Sequence, residues 1–207
     1  MGKIKTLFRK VAQVVNVPLT KFCDNVYRGG GIMSRNRRVQ PKTYDVLDVS
    51  RYIINYSNKK EYGVSNLKLQ KLLYFVQAHF LVLSNEEAPL FKEKIEAWDF
   101  GPVVPKAYNE YRQFGATSIP YIKSYFITRT GNIWDSERVP YEEDFIDEET
   151  RCKINDVVDS FSEKTATDLV GLTHRQKPWM DAYEKGMNNE ITTESIRRYF
   201  NGKKRRE

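Results

Sequence analysis

Few residues of this chain are suited to metal binding, and they are scattered. The sequence has two histidines and two cysteines, namely His79, His174, Cys23 and Cys152. A structural zinc site takes four such ligands, usually in pairs only a few residues apart. None of these four residues lies near another in the sequence, so we expect neither a metal ion nor a disulfide framework.

Two carboxylates around a tryptophan are the nearest approach to a catalytic pair. Glu96 and Asp99 flank Trp98 and could act as a general acid and base. The plainer interpretation, which we favour, is that they lie at a solvated edge or pair with Lys92 and Lys94. The chain has no glycine-rich phosphate loop after a strand, no GxSxG and no HExxH motif. We therefore predict a protein that is not an enzyme and binds no cofactor.

The two histidines are given structural interpretations. His79 lies in a segment rich in Leu and Phe, which predicts a packed or half-exposed side chain. His174 comes just before Arg175, near a predicted helix end, where free carbonyl groups stabilise a cation. We expect His174 to close that helix.

The charge is unevenly distributed along the 207 residues, whose net charge is +7. Residues 1–42 hold ten Lys and Arg against Asp24 alone, and the last five residues hold four basic groups and one acid. Residues 43–202 hold 20 basic and 25 acidic residues. A mildly acidic domain thus has a basic arm at each end. This favours an anionic partner such as nucleic acid, a membrane or an acidic protein surface, and solvated tails are the alternative.

Composition favours a cytoplasmic protein. The hydrophobic fraction of 40% suits one domain with appendages. Two cysteines suit a reducing compartment. No apolar run approaches the roughly 20 residues that span a bilayer, and no signal-peptide segment is apparent.

Residues 1–28 are predicted to form an amphipathic arm. One helical stripe is formed by its apolar residues, which are Ile4, Leu7, Phe8, Val11, Val14 and Val15. A Gly- and Arg-rich linker follows at residues 29–43. The stripe could dock in a groove of a partner protein, pack on its own domain or lie on an anionic membrane. The candidate partner contacts are Leu7, Phe8, Val11 and Val15.

Residues 44–200 are predicted to form the main domain, followed by a basic tail at residues 201–207. A short helix is expected to begin with Pro105, whose ring fixes φ, and to end with Gly115 as its cap. Residues 119–145 hold the only predicted β-structure, which could be a hairpin with its turn at residues 130–132 or an extended excursion. The predicted fold class is mainly α, a compact multi-helix domain with a small β-hairpin, preceded by an amphipathic helical arm.

Two earlier helices are indicated by apolar spacing. The first runs from near Tyr44 to about residues 58–60, and the second is capped by Ser65 or Asn66. The predicted core face of the second helix consists of Leu69, Leu72, Leu73, Val76 and Phe80.

Residues 95–108, IEAWDFGPVVPKAY, come between these helices and the short one. The stretch looks too irregular for a strand, too interrupted for a helix and too apolar for an ordinary surface loop. We interpret it as a rigid corner, because Gly101 can adopt backbone angles closed to other residues and Pro102 fixes φ. Trp98 and Phe100 are expected to wedge between the helices on either side.

The same corner offers a surface to a partner. The candidate contacts there are Glu96, Asp99, Lys106 and Tyr108. Because a rigid corner holds them in place, little conformational entropy would be lost on docking.

Three stretches of the chain together resemble one protein family. They are NLKLQKLLYFVQ (66–77), PLFKEKIEAWDFGPVVPKAYNEYRQFG (89–115) and TDLVGLTHRQKPWMDA (167–182). They resemble the Panacea family, also known as the SocA-like or phage-associated GepA domain, over about residues 44–200. The motif positions matched here, taken as structural, are Trp98, Gly101, Pro102, Pro105, His174 and Trp179.

The resemblance implies a mostly helical antitoxin of a bacterial or phage toxin–antitoxin system, which neutralises a cognate toxin by direct, stoichiometric contact. Two alternatives stay open. One is an adaptor that delivers the toxin to a Clp-type protease, with the C-terminal NGKKRRE as a tether. The other is a regulator that binds nucleic acid through its basic arms, although neither arm is interleaved with the aromatics of a reading element.

Overall fold

The computed structural model describes residues 42–83, 88–128 and 133–204. Within these residues the chain forms seven α-helices and two antiparallel sheets of two strands each. The helices are α1 (Val46–Lys59), α2 (Asn66–Leu83), α3 (Pro105–Tyr111), α4 (Glu148–Ser160), α5 (Ala166–His174), α6 (Lys177–Ala182) and α7 (Thr193–Lys204). The strands are β1 (Glu96–Trp98), β2 (Gly101–Val103), β3 (Ser124–Thr128) and β4 (Ser136–Pro140). The prediction of a mainly α fold is confirmed.

The amphipathic arm predicted for residues 1–28 lies outside the described residues. So do nearly all of the predicted linker, residues 29–43, and the end of the basic tail.

Helix α2 is the central element of the fold. It contacts α1, α3, α4, α5, α7 and β2. Its apolar residues Leu69, Leu72, Leu73 and Val76 are buried, whereas Phe80 is half-buried. Helix α2 is buried on more sides than the one apolar face that was predicted. A helix that is apolar on most sides lies in the interior of a protein.

Polar side chains on one face of α2 bind the segments around it. These residues are Asn66, Gln70, Tyr74 and Gln77. They recur every three or four residues, so they share a face of the helix. The Gln77 carboxamide accepts a hydrogen bond from the Leu90 N–H (3.0 Å) and donates to the Phe91 carbonyl (2.9 Å). The Tyr74 hydroxyl donates to Gln176 Oε1 (2.8 Å). Each bond satisfies a buried group and fixes a segment distant in sequence.

The predicted helix boundaries are largely confirmed. Helix α2 is capped by Ser65, whose Oγ accepts from the Lys68 N–H (3.4 Å). Helix α3 begins at Pro105, and its 3-10 extension, Arg112–Phe114, is followed by Gly115 with φ +53°. Glycine accommodates this left-handed conformation without strain.

The predicted hairpin of residues 119–145 is confirmed as β3 and β4. Ser124 lies opposite Pro140, and Thr128 lies opposite Ser136. The turn predicted at residues 130–132 lies outside the described residues.

The prediction of a single β-region is wrong, because residues 95–108 contain a second hairpin. Strands β1 and β2 are joined by the two residues Asp99–Phe100. Pro102 pairs with Ala97, whose N–H points to the other edge of β1 and donates to the Asn189 carbonyl (2.9 Å). Pro102 therefore occupies a non-hydrogen-bonded position, where its missing N–H costs nothing.

We expect Gln77→Met to lower the free energy of unfolding by about 3 kcal/mol, because it leaves buried N–H and C=O groups of Leu90 and Phe91 without a partner. Urea denaturation measures this change. The control is Gln113→Met at an exposed position, which should change stability little. A loss below about 1 kcal/mol for Gln77→Met would show that these bonds contribute little.

Candidate functional site

The turn between β1 and β2 projects into solvent. Its two residues, Asp99 and Phe100, are exposed, and 67% of the Phe100 surface is accessible. The expectation that Phe100 wedges between helices is wrong. Phe100 is the second residue of the two-residue loop that joins β1 and β2, where its side chain meets solvent.

Two side chains of α2 form hydrogen bonds with β2 and with Val104, the residue after it. The Lys71 ammonium donates to the Pro102 carbonyl (2.9 Å), and the Val104 N–H donates to Gln70 Oε1 (3.0 Å). Lys71 and Gln70 are fully buried. The hairpin is therefore attached to the core by polar bonds in a water-poor environment, where such bonds are strong.

Gly101 is required by both conformation and space. Its φ of +95° is one that L side chains rarely adopt. A Cβ atom there would lie 2.7 Å from Thr173 Oγ1 and 3.0 Å from Lys71 Cε. The predicted need for glycine at this position agrees with this geometry, although Gly101 begins β2 instead of forming the turn with Pro102.

Aromatic side chains of α5 and α6 support the turn from the side. The Trp179 indole N–H donates to the Trp98 carbonyl (3.0 Å). The Trp179 ring is stacked between His174, with centroids 4.0 Å apart, and Tyr183, with centroids 4.5 Å apart. The Tyr183 hydroxyl then donates to Asp99 Oδ1 (2.9 Å). The stack thus binds both the backbone and a side chain of the hairpin.

The Trp98 side chain lies half-buried beside the turn. Its indole N–H donates to Glu96 Oε2 (2.8 Å), and its ring meets Tyr108 edge to face at 4.9 Å. Lys94, one of the expected partners of Glu96, pairs instead with Glu190 (3.2 Å). Glu96 is therefore engaged by an aromatic N–H, as Asp99 is by an aromatic hydroxyl.

Lys106 belongs to a different group of charges. Its ammonium binds the carboxylates of Asp45, the N-cap of α1, and of Glu93 (2.9 Å). Burial opposes the charge, but the bonds to Asp45 and Glu93 dominate and raise the pKa of Lys106. Its charge is already matched within the chain, which weakens the prediction that Lys106 contacts a partner.

Lys71 is a buried amine that no carboxylate of the described residues compensates. Burial alone lowers the pKa of Lys71 to about 7. Near neutral pH this side chain is therefore close to losing its charge, unlike an ordinary lysine.

The two histidines are uncharged at neutral pH. Burial, and secondarily the charge of Lys71, lowers the pKa of His174. His174 is the last residue of α5, as expected, but the expected cation is replaced by a neutral ring stacked on Trp179. His79 is buried, as its packed interpretation required, and burial lowers its pKa to about 3.

Within the described ranges, no three or more His, Cys, Asp or Glu residues are grouped so that they could hold a metal ion. In the same part of the chain, no helix combines the length and apolar character needed to cross a bilayer.

The structure brings most of the predicted corner residues together around the Asp99–Phe100 turn. Sequence reasoning missed Tyr183 and Lys71, which also bind the hairpin. Tyr183 follows Trp179 by four residues, a helical spacing that places two side chains on one face and could have revealed it. Lys71 gave no such signal.

The architecture is that of a mainly helical domain whose core fixes one exposed hairpin turn. The chain belongs to the family described as antitoxin SocA-like, Panacea domain, whose model matches residues 69–180, just over half of the 207 residues. The matched region contains both hairpins, α5 and the indole of Trp179.

One characterised relative is similar over part of its length. Antitoxin SocA of Caulobacter vibrioides (strain NA1000 / CB15N) is 39% identical over 82 residues, which is 40% of this chain and 41% of the relative. The alignment thus covers about two fifths of each protein. No solved structure matches the chain.

We expect Gly101→Ala to destabilise the domain by about 3 kcal/mol, because the backbone angle is strained for alanine and the added methyl overlaps Thr173. Gly115→Ala is the matched control, since Gly115 also has positive φ but nothing within 4 Å of an added Cβ. It should cost only about 1 kcal/mol. Equal losses in urea denaturation would contradict the packing argument.

The buried Lys71 predicts a pH-dependent stability. The unfolded chain holds the lysine proton up to about pH 10, whereas the folded chain releases it near pH 7. The unfolded state therefore binds more protons between these values, so the free energy of unfolding should rise with pH, by at most about 1.4 kcal/mol per unit.

Lys71→Met removes this titrating group, so its stability should rise less steeply with pH than that of the native chain between pH 7 and 10. Denaturation at several pH values tests this. Lys92→Met, at an exposed position, is the control and should remain parallel to the native chain. Parallel curves for Lys71→Met would contradict the assignment.

Proposed function

We propose that this chain neutralises a toxin protein by direct, stoichiometric binding, and that the contact is centred on the Asp99–Phe100 turn. Membership of the SocA-like antitoxin family supports a toxin as the partner. The position of the contact is inferred from Phe100, which is 67% exposed at the tip of a hairpin that the core holds fixed.

An exposed aromatic side chain on a rigid backbone suits a binding hot spot. Aromatic residues supply a large part of the energy at protein interfaces. The turn is held through Lys71, Trp179 and Tyr183 before any partner arrives. Its backbone therefore loses little conformational entropy on binding.

The residues around Phe100 provide the rim of the proposed contact. Met180, the residue after Trp179, is exposed and adds apolar surface on α6. Glu96 and Tyr108 are half-buried and held by contacts with Trp98. Their fixed positions suit hydrogen bonds that set the orientation of the partner.

The arm residues Leu7, Phe8, Val11 and Val15 are the second predicted contact with the toxin. They lie outside the described residues, so their part in the proposal depends on the amphipathic pattern alone.

The test uses the full chain and the toxin encoded beside its gene. Phe100→Ser should weaken binding by at least tenfold in isothermal titration, because truncating a hot-spot aromatic costs about 2 kcal/mol or more. It should also reduce rescue of growth in cells that express the toxin. Stability should be unchanged, since the side chain is mostly exposed.

Phe126→Ser is the matched control for exposure, because Phe126 is a phenylalanine that is 68% exposed on the other hairpin. It should not weaken toxin binding. Native affinity in Phe100→Ser would place the toxin contact elsewhere, and an equal loss in both variants would remove the special role of the turn.

A further inference from the structure

The turn between β1 and β2 places a carboxylate directly beside the exposed aromatic side chain. Asp99 is exposed, and its Oδ1 accepts a hydrogen bond from the Tyr183 hydroxyl (2.9 Å). Its other oxygen, Oδ2, makes no hydrogen bond or ion pair with another residue of the described ranges. A carboxylate can accept about four hydrogen bonds. Most of the accepting capacity of Asp99 is therefore left at the surface.

The backbone of the turn does not require these two residue types. Asp is often chosen in turns because it tolerates positive φ. Neither Asp99 nor Phe100 has a positive φ, since Gly101 takes that conformation. The hydrogen bond from Tyr183 does not require a carboxylate either, because the side-chain carbonyl of asparagine would accept it equally. The fold therefore leaves the chemistry of both turn positions open.

The basic residues around the hairpin do not neutralise Asp99. Lys71 is bound to the Pro102 carbonyl (2.9 Å), and Lys94 pairs with Glu190 (3.2 Å). In the part of the chain that the structure describes, Asp99 also forms no ion pair with the exposed basic residues of the neighbouring segments, which are Arg175, Lys177 and Lys185. The negative charge of Asp99 is thus not matched within the domain.

A partner that covers Phe100 must also remove water from Asp99, because the two residues are consecutive in a rigid loop. Removing a carboxylate from water is costly unless the charge is paired and hydrogen-bonded. The Tyr183 hydroxyl supplies one donor, to Oδ1. The other donors must come from the partner. A cationic donor compensates best, because charge-assisted hydrogen bonds are stronger than neutral ones.

We propose that the toxin surface that receives Phe100 is an apolar pocket bordered by a lysine or arginine side chain, and that this cation binds Asp99. The inference rests on the proposed function, since it describes the partner of the same turn. Tyr183 is then a positioning residue, which orients the carboxylate toward the cation. Asp99 adds specificity, because a toxin with a carboxylate at that place would be repelled.

The test is isothermal titration of the full chain with the toxin encoded beside its gene. Asp99→Asn keeps the side-chain size and the acceptor for Tyr183, but it removes the charge that faces the cation. Its Kd should be about tenfold higher than that of the native chain. Added salt should weaken the native complex more than the variant complex, because salt screens the ion pair. Urea denaturation should show unchanged stability.

Asp144→Asn is the matched control. Asp144 is also exposed and is also followed by an exposed phenylalanine, Phe145. The control removes the same charge from the chain and should leave the Kd unchanged. Tyr183→Phe tests the positioning role, because it keeps the ring that stacks on Trp179. It should raise the Kd a few-fold and preserve the native salt dependence, since Asp99 keeps its charge.

The outcomes separate this inference from the proposed function. Native affinity in Asp99→Asn, together with weak binding by Phe100→Ser, would overturn the cation and leave the toxin contact at the turn. Native affinity in both variants would overturn both proposals. Tighter binding by Asp99→Asn would show an acidic toxin surface and so contradict the inference. An equal loss in Asp144→Asn would reduce the effect to the net charge of the chain and would also overturn it.

Discussion

The fold depends on the hydrogen bonds that polar side chains of a buried helix make with segments far away in sequence. Gln77 holds the chain after α2, Tyr74 holds Gln176 before α6, and Gln70 holds the chain after β2. Buried polar groups without partners are costly, so each of these segments is fixed in one arrangement. Apolar packing places α2 in the centre, but these bonds determine what lies against it.

Helical spacing and capping were sufficient to predict the first three helices. Apolar residues at intervals of three and four marked α1 and α2, and Pro105 and Gly115 marked the limits of the α3 region. These signals are local, since they reflect one face of one helix or one terminus. Sequence alone therefore found these helices and the β3–β4 hairpin, with limits close to those observed.

The β1–β2 hairpin and the buried lysine could not be found in the same way. Gly101 and Pro102 normally interrupt regular structure. They fit β2 because Pro102 pairs with Ala97 at a non-hydrogen-bonded position, and because Thr173 lies too close to Gly101 for any side chain. Lys71 has the spacing of a surface residue, and lysine is rarely buried. Its burial depends on the Pro102 carbonyl, which is 31 residues further along the chain. Such features arise from tertiary contacts that no local pattern records.

The way in which the hairpin is held separates the residues that fix its shape from those that meet solvent. Lys71 and Trp179 bind the backbone of the hairpin, and Gly101 is the residue of β2 that lies closest to Thr173, so changing any of them alters the core. Phe100 projects from the same backbone and is mostly exposed, so its identity has little effect on stability. A turn built in this way can change its chemistry at one position while the scaffold stays the same. This arrangement suits the proposed role, in which Phe100 contacts a toxin and the rest of the hairpin keeps its shape.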